Sequence, residues 1–172
     1  MLFIVAAFLL ALLSAASNAQ CPLPSGKTVV VKSETDFCLF LPPFSSSGGI
    51  ADNEHRAIAF CTKSPLVGAP LAYPFPVDFI RTAHYSENLI RKYVQVTGRI
   101  RRAKYCLKSS DQGGQNDKWH PSGATCAGYN HFVELVEPNE NIYCIRCCMS
   151  SSDCPTNRDT DGCKAVIPGD YS

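Results

Sequence analysis

The sequence predicts a small, mostly β protein, a disulfide-stapled sandwich or barrel with long loops. Short runs rich in Val, Ile, Phe and Tyr recur along the chain, and each ends at Pro, Gly, Ser, Asn or Asp. This is the pattern of strands separated by turns, and no stretch keeps a helical period over three turns. Ten cysteines in 172 residues add the expectation of covalent cross-links, because so many thiols are rare in proteins of reducing compartments.

Eight segments have the strand pattern. They are residues 28–32, 37–41, 57–62, 79–84, 93–100, 105–108, 129–137 and 142–148. The segment 129–137 carries large side chains on both alternating faces, which predicts that both faces are covered. Three connections are predicted: a proline-rich loop at 65–76 that cannot enter a central strand, one helical turn at 86–92, and a long glycine-containing loop at 109–125.

The N-terminus has the features of a secretory leader. An apolar run of 12 residues at 2–13 is shorter than the roughly 20 residues of a membrane-spanning helix. Ser17 and Ala19 occupy the small-residue positions of a cleavage site. We therefore expect a signal peptide at 1–19 and a secreted, single cysteine-rich β domain at 20–172, with an uncleaved anchor as the alternative.

Charge and hydropathy argue against two kinds of partner, nucleic acid and the membrane. The chain has 16 basic and 15 acidic side chains, so it lacks the positive excess that nucleic acid binding requires. No later stretch is apolar for 18 residues, so we expect no membrane association once the signal peptide is removed.

All ten cysteines follow the predicted cleavage site, and we expect them to form disulfides in an oxidising secretory route. They are Cys21, Cys38, Cys61, Cys106, Cys126, Cys144, Cys147, Cys148, Cys154 and Cys163. Their spacing leaves the pairing open. Cys147 and Cys148 are neighbours on a predicted strand, so their side chains point to opposite faces, and each should have a different distant partner.

A zinc site is the alternative use of these thiols. The spacing Cys-x2-Cys-x6-Cys is the first half of the pattern in fungal binuclear zinc clusters, and it occurs here at Cys144, Cys147 and Cys154. Cys163 could supply a fourth ligand. The second half of that pattern is missing. We therefore expect no cofactor, with zinc as the alternative.

A small secreted hydrolase is the second alternative function, and it would use His120 or His131. No histidine lies in a recognisable catalytic motif, and no Gly-x-Ser-x-Gly nucleophile elbow occurs. His131 and Glu134 resemble a dyad, but three residues along a strand put them on opposite faces. We therefore predict no catalytic residue.

The loop at 109–125 is the candidate ligand loop. Asp111 and Asp117 offer the oxygen ligands that calcium uses, although their spacing matches no calcium motif. Trp119, the sole tryptophan, and His120 could stack against a sugar ring. Trp119 is either a buried plug or an exposed aromatic platform, and exposure would favour a carbohydrate ligand.

Several segments together resemble a known family. They are Cys21-Pro22, the run from Phe37 to Pro43, Tyr93 to Gly98, the strand from Gly128 to Pro138, and the framework from Cys144 to Cys163. In these segments the chain resembles the priA-like family of fungal small secreted cysteine-rich proteins, and the likeness covers nearly the whole chain after the leader.

The resemblance implies an extracellular or cell-wall protein linked with fungal development, with no established enzymatic activity and with a suggested zinc association through the cysteine cluster. It implies no catalytic residues. We therefore expect a secreted, non-catalytic binding or structural protein whose partners are cell-wall carbohydrate or another extracellular protein.

Overall fold

The computed structural model describes residues 26–44 and 46–172. The predicted signal peptide and Cys21 lie outside these residues. The described strands are β1 (Thr28–Val29), β2 (Cys38–Leu41), β3 (Ile58–Cys61), β4 (Tyr73–Pro74), β5 (Ile80–Asn88), β6 (Tyr93–Ile100), β7 (Gly114–Asp117), β8 (Thr125–Cys126), β9 (His131–Glu137) and β10 (Ile142–Cys148). Short 3-10 turns lie at Ala51–Arg56, Arg102–Tyr105 and Ser151–Asp153, and α1 spans Cys163–Val166.

The largest element is an antiparallel five-stranded sheet in the order β5-β6-β10-β9-β7. Its middle strand is β10, where Ile145 lies opposite Val96 of β6 and Glu134 of β9. Six of the seven β10 residues are buried. This burial explains why the segment reads as an almost continuous apolar run in the sequence.

A smaller sheet packs against one face of the large one. It has the order β2-β3-β4, and β1 pairs in parallel with β8 beside it. Phe37 stacks on Tyr143 with ring centroids 5.6 Å apart, and Phe40 meets Phe132 at 5.4 Å. These contacts join both sheets into one aromatic core. The mostly β prediction is confirmed, and the sheets stay open rather than closing into a barrel.

The C-terminal segment covers the opposite face of the large sheet. Ile167 is fully buried in a cluster with Leu135 of β9. Residues 168–172 then lie over β5 and β6, where the Thr97 hydroxyl donates a 2.6 Å hydrogen bond to the carbonyl of Asp170. Both faces of the central strands are therefore covered, as their alternation predicts.

Four disulfides join the described residues, which confirms the prediction of a disulfide-linked protein. The pairs are Cys38–Cys61, Cys126–Cys147, Cys144–Cys163 and Cys148–Cys154. The neighbours Cys147 and Cys148 have different partners, in agreement with their opposite directions on β10. The expectation that both partners are distant is wrong for Cys148, because Cys154 follows it by only six residues. Cys106 is exposed and has no partner among the described residues.

Two of the predicted connections are wrong. The loop predicted at 109–125 contains β7, because Gly114–Asp117 pairs with β9 and its polar side chains are buried with partners. The helical turn predicted at 86–92 is absent, because β5 continues to Asn88. The side-chain oxygen of Asn88 then accepts hydrogen bonds from the N–H groups of Ile90 and Arg91, which closes a hairpin turn instead.

The strand predicted at 105–108 is also wrong. The chain forms the 3-10 turn Arg102–Tyr105 and leaves it at Cys106 with a positive φ of 57°. The reason lies in Tyr105, whose hydroxyl donates a 2.6 Å hydrogen bond to the carbonyl of Pro42. Its ring also stacks on Phe44 at 4.7 Å. These contacts hold the tyrosine in the core and bend the backbone away from an extended path.

The proline-rich segment at 65–76 is a loop that contributes only the two residues of β4. β4 lies at the edge of the small sheet, with β3 in the middle. This placement agrees with the prediction that the prolines exclude the segment from a central strand.

Candidate ligand-binding site

A cleft of about 400 Å³ lies between the turn after β7 and the segment after β10. Lys118 and Trp119 form one wall, Ser151 to Asn157 form the other, and His131 stands at the start of β9. The Trp119 side chain is 63 % exposed. Of the two interpretations of the sole tryptophan, the structure therefore supports the exposed aromatic platform.

The side chain of Asp117 fixes the backbone at Trp119. It ends β7 and is buried, and its Oδ1 accepts the N–H of Trp119 at 2.7 Å and the N–H of His120 at 3.2 Å. The backbone N–H of Asp117 also donates to the carbonyl of His120 at 2.8 Å. These bonds close a tight turn on a sheet strand, so the aromatic ring is presented by a rigid support.

The opposite wall is fixed by covalent and polar contacts. The Cys148–Cys154 disulfide ties it to β10. The side-chain amide of Gln115 on β7 donates a 2.6 Å hydrogen bond to the carbonyl of Thr156, and Asp153 forms an ion pair with Arg91. Both walls are therefore anchored to the same sheet, and the shape of the cleft is largely preformed.

Glu54 is a titratable group beside this region that the sequence did not reveal. Its Oε1 accepts the N–H of Gln115 at 2.7 Å. Partial burial raises the pKa of Glu54, the hydrogen bond from Gln115 and the charge of His120 lower it, and the carboxylates of Asp159 and Asp117 raise it. No local signal links Glu54 to β7, because the two are 61 residues apart.

The cleft combines an aromatic surface with small polar groups. The ammonium of Lys118 lies 4.8 Å from the centroid of the Trp119 ring, within the range of a cation–π contact. The same cleft is lined by His131, by serine and threonine residues and by Asn157. An exposed indole bordered by hydrogen-bonding groups can stack on an apolar ring face while the groups around it bind hydroxyls.

The two predicted acidic ligands are used inside the protein. Asp111 accepts the N–H of Ile50 with Oδ2 and the N–H of Gly113 with Oδ1, both at 2.9 Å. Asp117 accepts the backbone bonds of the tryptophan turn. Asp111 precedes β7 and Asp117 is its last residue, so the strand separates the two carboxylates. Of the four predicted ligand residues, only Trp119 lines the cleft, and His120 lies on the same turn.

Neither histidine of the hydrolase alternative is paired with a catalytic partner in the described part of the chain. Among the described residues, no hydrogen bond joins the ring of His120 or His131 to a carboxylate or a hydroxyl. His131 lines the cleft, whereas Glu134 is fully buried and accepts the N–H of Phe40 at 2.9 and 3.0 Å. The two residues lie on different sides of β9, as predicted, so the hydrolase alternative gains no support.

The predicted zinc ligands are all oxidised in this structure. Cys144 is bonded to Cys163, and Cys147 and Cys154 are bonded to two other cysteines. A disulfide sulfur is not a thiolate, so these four positions do not fit zinc in this state. In the described part of the chain, no group of three or more metal-binding side chains is placed to hold an ion.

The fold and the cleft define a small, disulfide-linked β protein with one exposed tryptophan at a preformed groove. No model of a protein family, no curated protein and no solved structure matches the chain. No helix between residues 26 and 172, apart from the undescribed residue 45, is long and apolar enough to cross a membrane.

Proposed function

We propose that this chain is a secreted, non-catalytic protein of the cell exterior or the fungal cell wall, and that it binds carbohydrate through the Trp119 cleft. The observation that carries the proposal is the exposure of a braced tryptophan. A large aromatic side chain that was needed only for stability would be buried, because burial is what makes it stabilising.

The surroundings of the ring favour a sugar over a fully apolar ligand. Hydroxyl, amide, imidazole and ammonium groups border the cleft, and each of them can donate a hydrogen bond to a sugar oxygen. The volume of the cleft, about 400 Å³, suits one or a few units of an extended polysaccharide. Its rigid walls reduce the entropy that binding costs.

The cysteine chemistry and the N-terminal segment support secretion. Four disulfides are compatible with an oxidising compartment. The leader pattern at 1–19 and the resemblance to the priA-like family favour the same location. Sequencing the N-terminus of the protein recovered from culture medium tests this part, and we expect it to begin at Gln20. A protein retained inside the cell with residues 1–19 in place would contradict it.

The sugar-binding part is tested with a matched pair of aromatic variants. Trp119 and Phe44 are 63 % and 64 % exposed, but Phe44 packs on Tyr105, away from the cleft. The wild type, Trp119→Ala and Phe44→Ala are incubated with insoluble chitin and with insoluble β-1,3-glucan, and the bound fraction is measured. Thermal unfolding of each variant shows whether it is folded.

We expect the wild type to bind at least one of the two polymers, Trp119→Ala to bind at least tenfold more weakly, and Phe44→Ala to bind like the wild type. Because Trp119 is the sole tryptophan, its fluorescence reports the cleft directly. A soluble oligosaccharide of the same polymer should shift its emission to shorter wavelength. Equal binding by Trp119→Ala, or no binding by the wild type, would refute the proposal.

A further inference from the structure

The end of β6 carries a local excess of positive charge. Between Glu87 and Asp111 the sequence has seven lysine and arginine residues and no acidic residue. Four of these cations lie in and directly after the 3-10 turn that follows β6, and we call them the basic turn: Arg101, Arg102, Lys104 and Lys108. Arg102 is half-buried and the other three side chains are exposed. The net charge of +1 for the whole chain conceals this local excess.

Backbone hydrogen bonds fix the positions from which these side chains extend. The N–H of Lys104 donates to the carbonyl of Arg101 at 2.9 Å. The N–H of Leu107 donates to the carbonyl of Arg102 at 3.1 Å, which holds the following segment against the turn. The buried ring of Tyr105 anchors the same turn in the aromatic core. The cations are therefore presented by a rigid support.

Neutral acceptors orient the two guanidinium groups of the basic turn. Arg101 donates to the backbone carbonyl of Asp78 at 3.1 Å, and Arg102 donates to the Oδ1 of Asn141 at 2.9 Å. Each bond uses one of the five N–H donors of a guanidinium group and leaves its charge uncompensated. A surface cation that served only solubility would need no fixed position, since holding a long side chain costs conformational entropy. The arrangement therefore suits a ligand that supplies the missing anionic acceptors.

Few carboxylates oppose these cations. Among the ion pairs of the described chain, only Lys104–Asp78 involves the basic turn, and its Nζ and Oδ2 are 3.9 Å apart. Glu140, in the turn between β9 and β10, pairs with Lys164. Asp111 uses both carboxylate oxygens to accept backbone N–H groups. Four cations thus face one carboxylate, and a bound anion would relieve the repulsion between them.

We propose that the basic turn binds an acidic polysaccharide, a polymer that carries carboxylate groups at intervals along its chain. A planar guanidinium group can bind a carboxylate through two parallel hydrogen bonds, and a lysine ammonium adds charge without demanding a fixed geometry. A polymer engages several cations at once, so contacts that are weak singly add up. The choice of a polysaccharide over other polyanions rests on the extracellular location in the proposed function.

The basic turn and the Trp119 cleft lie at opposite ends of the large sheet. The cleft is lined by His131, the first residue of β9, whereas Arg102 contacts Asn141, which directly precedes β10. β9 and β10 have seven residues each, so about 20 Å of strand separates their ends. The two sites can therefore be tested independently.

The test compares one polymer with and without its charge. The secreted protein is titrated with polygalacturonate and with the same polymer after complete methyl esterification, at several salt concentrations. A short DNA duplex represents the other class of polyanion. Thermal unfolding of every variant shows whether it is folded.

Three double variants and one single variant separate the basic turn from general charge and from the cleft. Arg101→Gln/Arg102→Gln removes the two guanidinium groups, and Lys104→Gln/Lys108→Gln removes the two ammonium groups without touching the bonds to Asp78 and Asn141 described above. Lys32→Gln/Lys92→Gln is the control, because it removes the same charge at exposed lysines outside the turn. Trp119→Ala alters only the cleft.

We expect the wild type to bind polygalacturonate but not its methyl ester, with an affinity that falls as salt rises. Both double variants of the basic turn should bind at least tenfold more weakly and with a shallower dependence on salt. The lysine control and Trp119→Ala should stay within about twofold of the wild type. Because this measurement uses neither chitin nor β-1,3-glucan, failure of the cleft to bind those polymers would leave its outcome unchanged.

Three results would overturn the proposal. The first is a wild type that does not bind polygalacturonate, or binds the methyl ester equally well. The second is unchanged binding by both variants of the basic turn, or an equal loss in the lysine control or in Trp119→Ala. The third is tighter binding of the DNA duplex than of polygalacturonate, which would assign the basic turn to nucleic acid.

Discussion

The buried carboxyl of Glu134 makes a sharp prediction about how stability depends on pH. Glu134 is fully buried on β9, and within the described chain no cation lies against it. Burial raises its pKa well above the ordinary 4.5, and the hydrogen bonds from Phe40 and Asn116 only partly oppose this. The Nδ2 of Asn116 donates to the Oε1 of Glu134 at 3.2 Å, and this single neutral donor does not offset the cost of burying the charge.

The direction in which stability changes with pH follows from the number of protons bound by the folded and the unfolded protein. Between pH 4.5 and the higher pKa of the folded state, the folded protein holds a proton at Glu134 that the unfolded chain has lost. The stability that this group contributes is therefore complete below about pH 4.5 and is lost as the pH rises through the folded pKa. Within that window the loss approaches about 1.4 kcal/mol per pH unit once the unfolded chain is fully deprotonated.

The test compares the wild type with Glu134→Gln, which keeps the shape of the side chain and cannot ionise. The free energy of unfolding is measured by denaturant titration with the disulfides intact, at closely spaced values from pH 3.5 to 8. Other titrating groups, such as Glu54, cancel in the difference between the two proteins. The wild type should lose about 1 kcal/mol relative to the variant between pH 4.5 and 5.5, because the unfolded chain is still half protonated at pH 4.5. A difference that stays constant with pH would show that Glu134 titrates normally and would refute the reasoning.

Three further predictions concern the sulfur atoms and the cleft. Four disulfides use eight of the ten cysteines. Thiol titration of the denatured, unreduced protein should therefore find at most two free thiols. Four or more free thiols together with bound zinc would favour the zinc alternative. Removal of the Cys126–Cys147 disulfide, whose cysteines are 21 residues apart, should lower the free energy of unfolding by about 3 kcal/mol. Removal of Cys148–Cys154, whose cysteines are 6 residues apart, should lower it by about 2 kcal/mol. The reverse order would contradict the loop-length reasoning. Asp117→Ala should cost about 0.5–1.5 kcal/mol by removing its hydrogen bonds to the part-buried N–H groups of Trp119 and His120, and it should weaken polysaccharide binding. Binding at wild-type strength would show that the tryptophan turn does not need these bonds.

The central strands could be predicted from the sequence because local pattern and burial agree there. The segments predicted at 93–100 and 142–148 are the observed β6 and β10, and 129–137 contains β9. β7 could not be predicted, because a strand of Gly-Gln-Asn-Asp reads as a solvated loop. Its polar side chains are buried with partners distant in sequence, such as the amide of Asn116 against Glu134 at 3.2 Å.

Only part of the candidate site could be predicted. Trp119 could be identified because it is the sole tryptophan and falls in a polar segment. The wall at 151–157 has no periodicity or motif, and only the fold brings it to the tryptophan. Asp111 and Asp117 show the opposite case, because a carboxylate in a glycine-rich segment looks the same whether it binds a ligand or caps a backbone turn.

The adjacent cysteines of β10 have a consequence for oxidative folding. If β10 slipped by one residue against its neighbours, every side chain would move to the other face. Cys147 would then point away from Cys126, and Cys148 would point away from Cys154. Both native bonds can form together only when the strand is correctly aligned, because a one-residue slip puts Arg146 or Met149 in the place of one of the two cysteines.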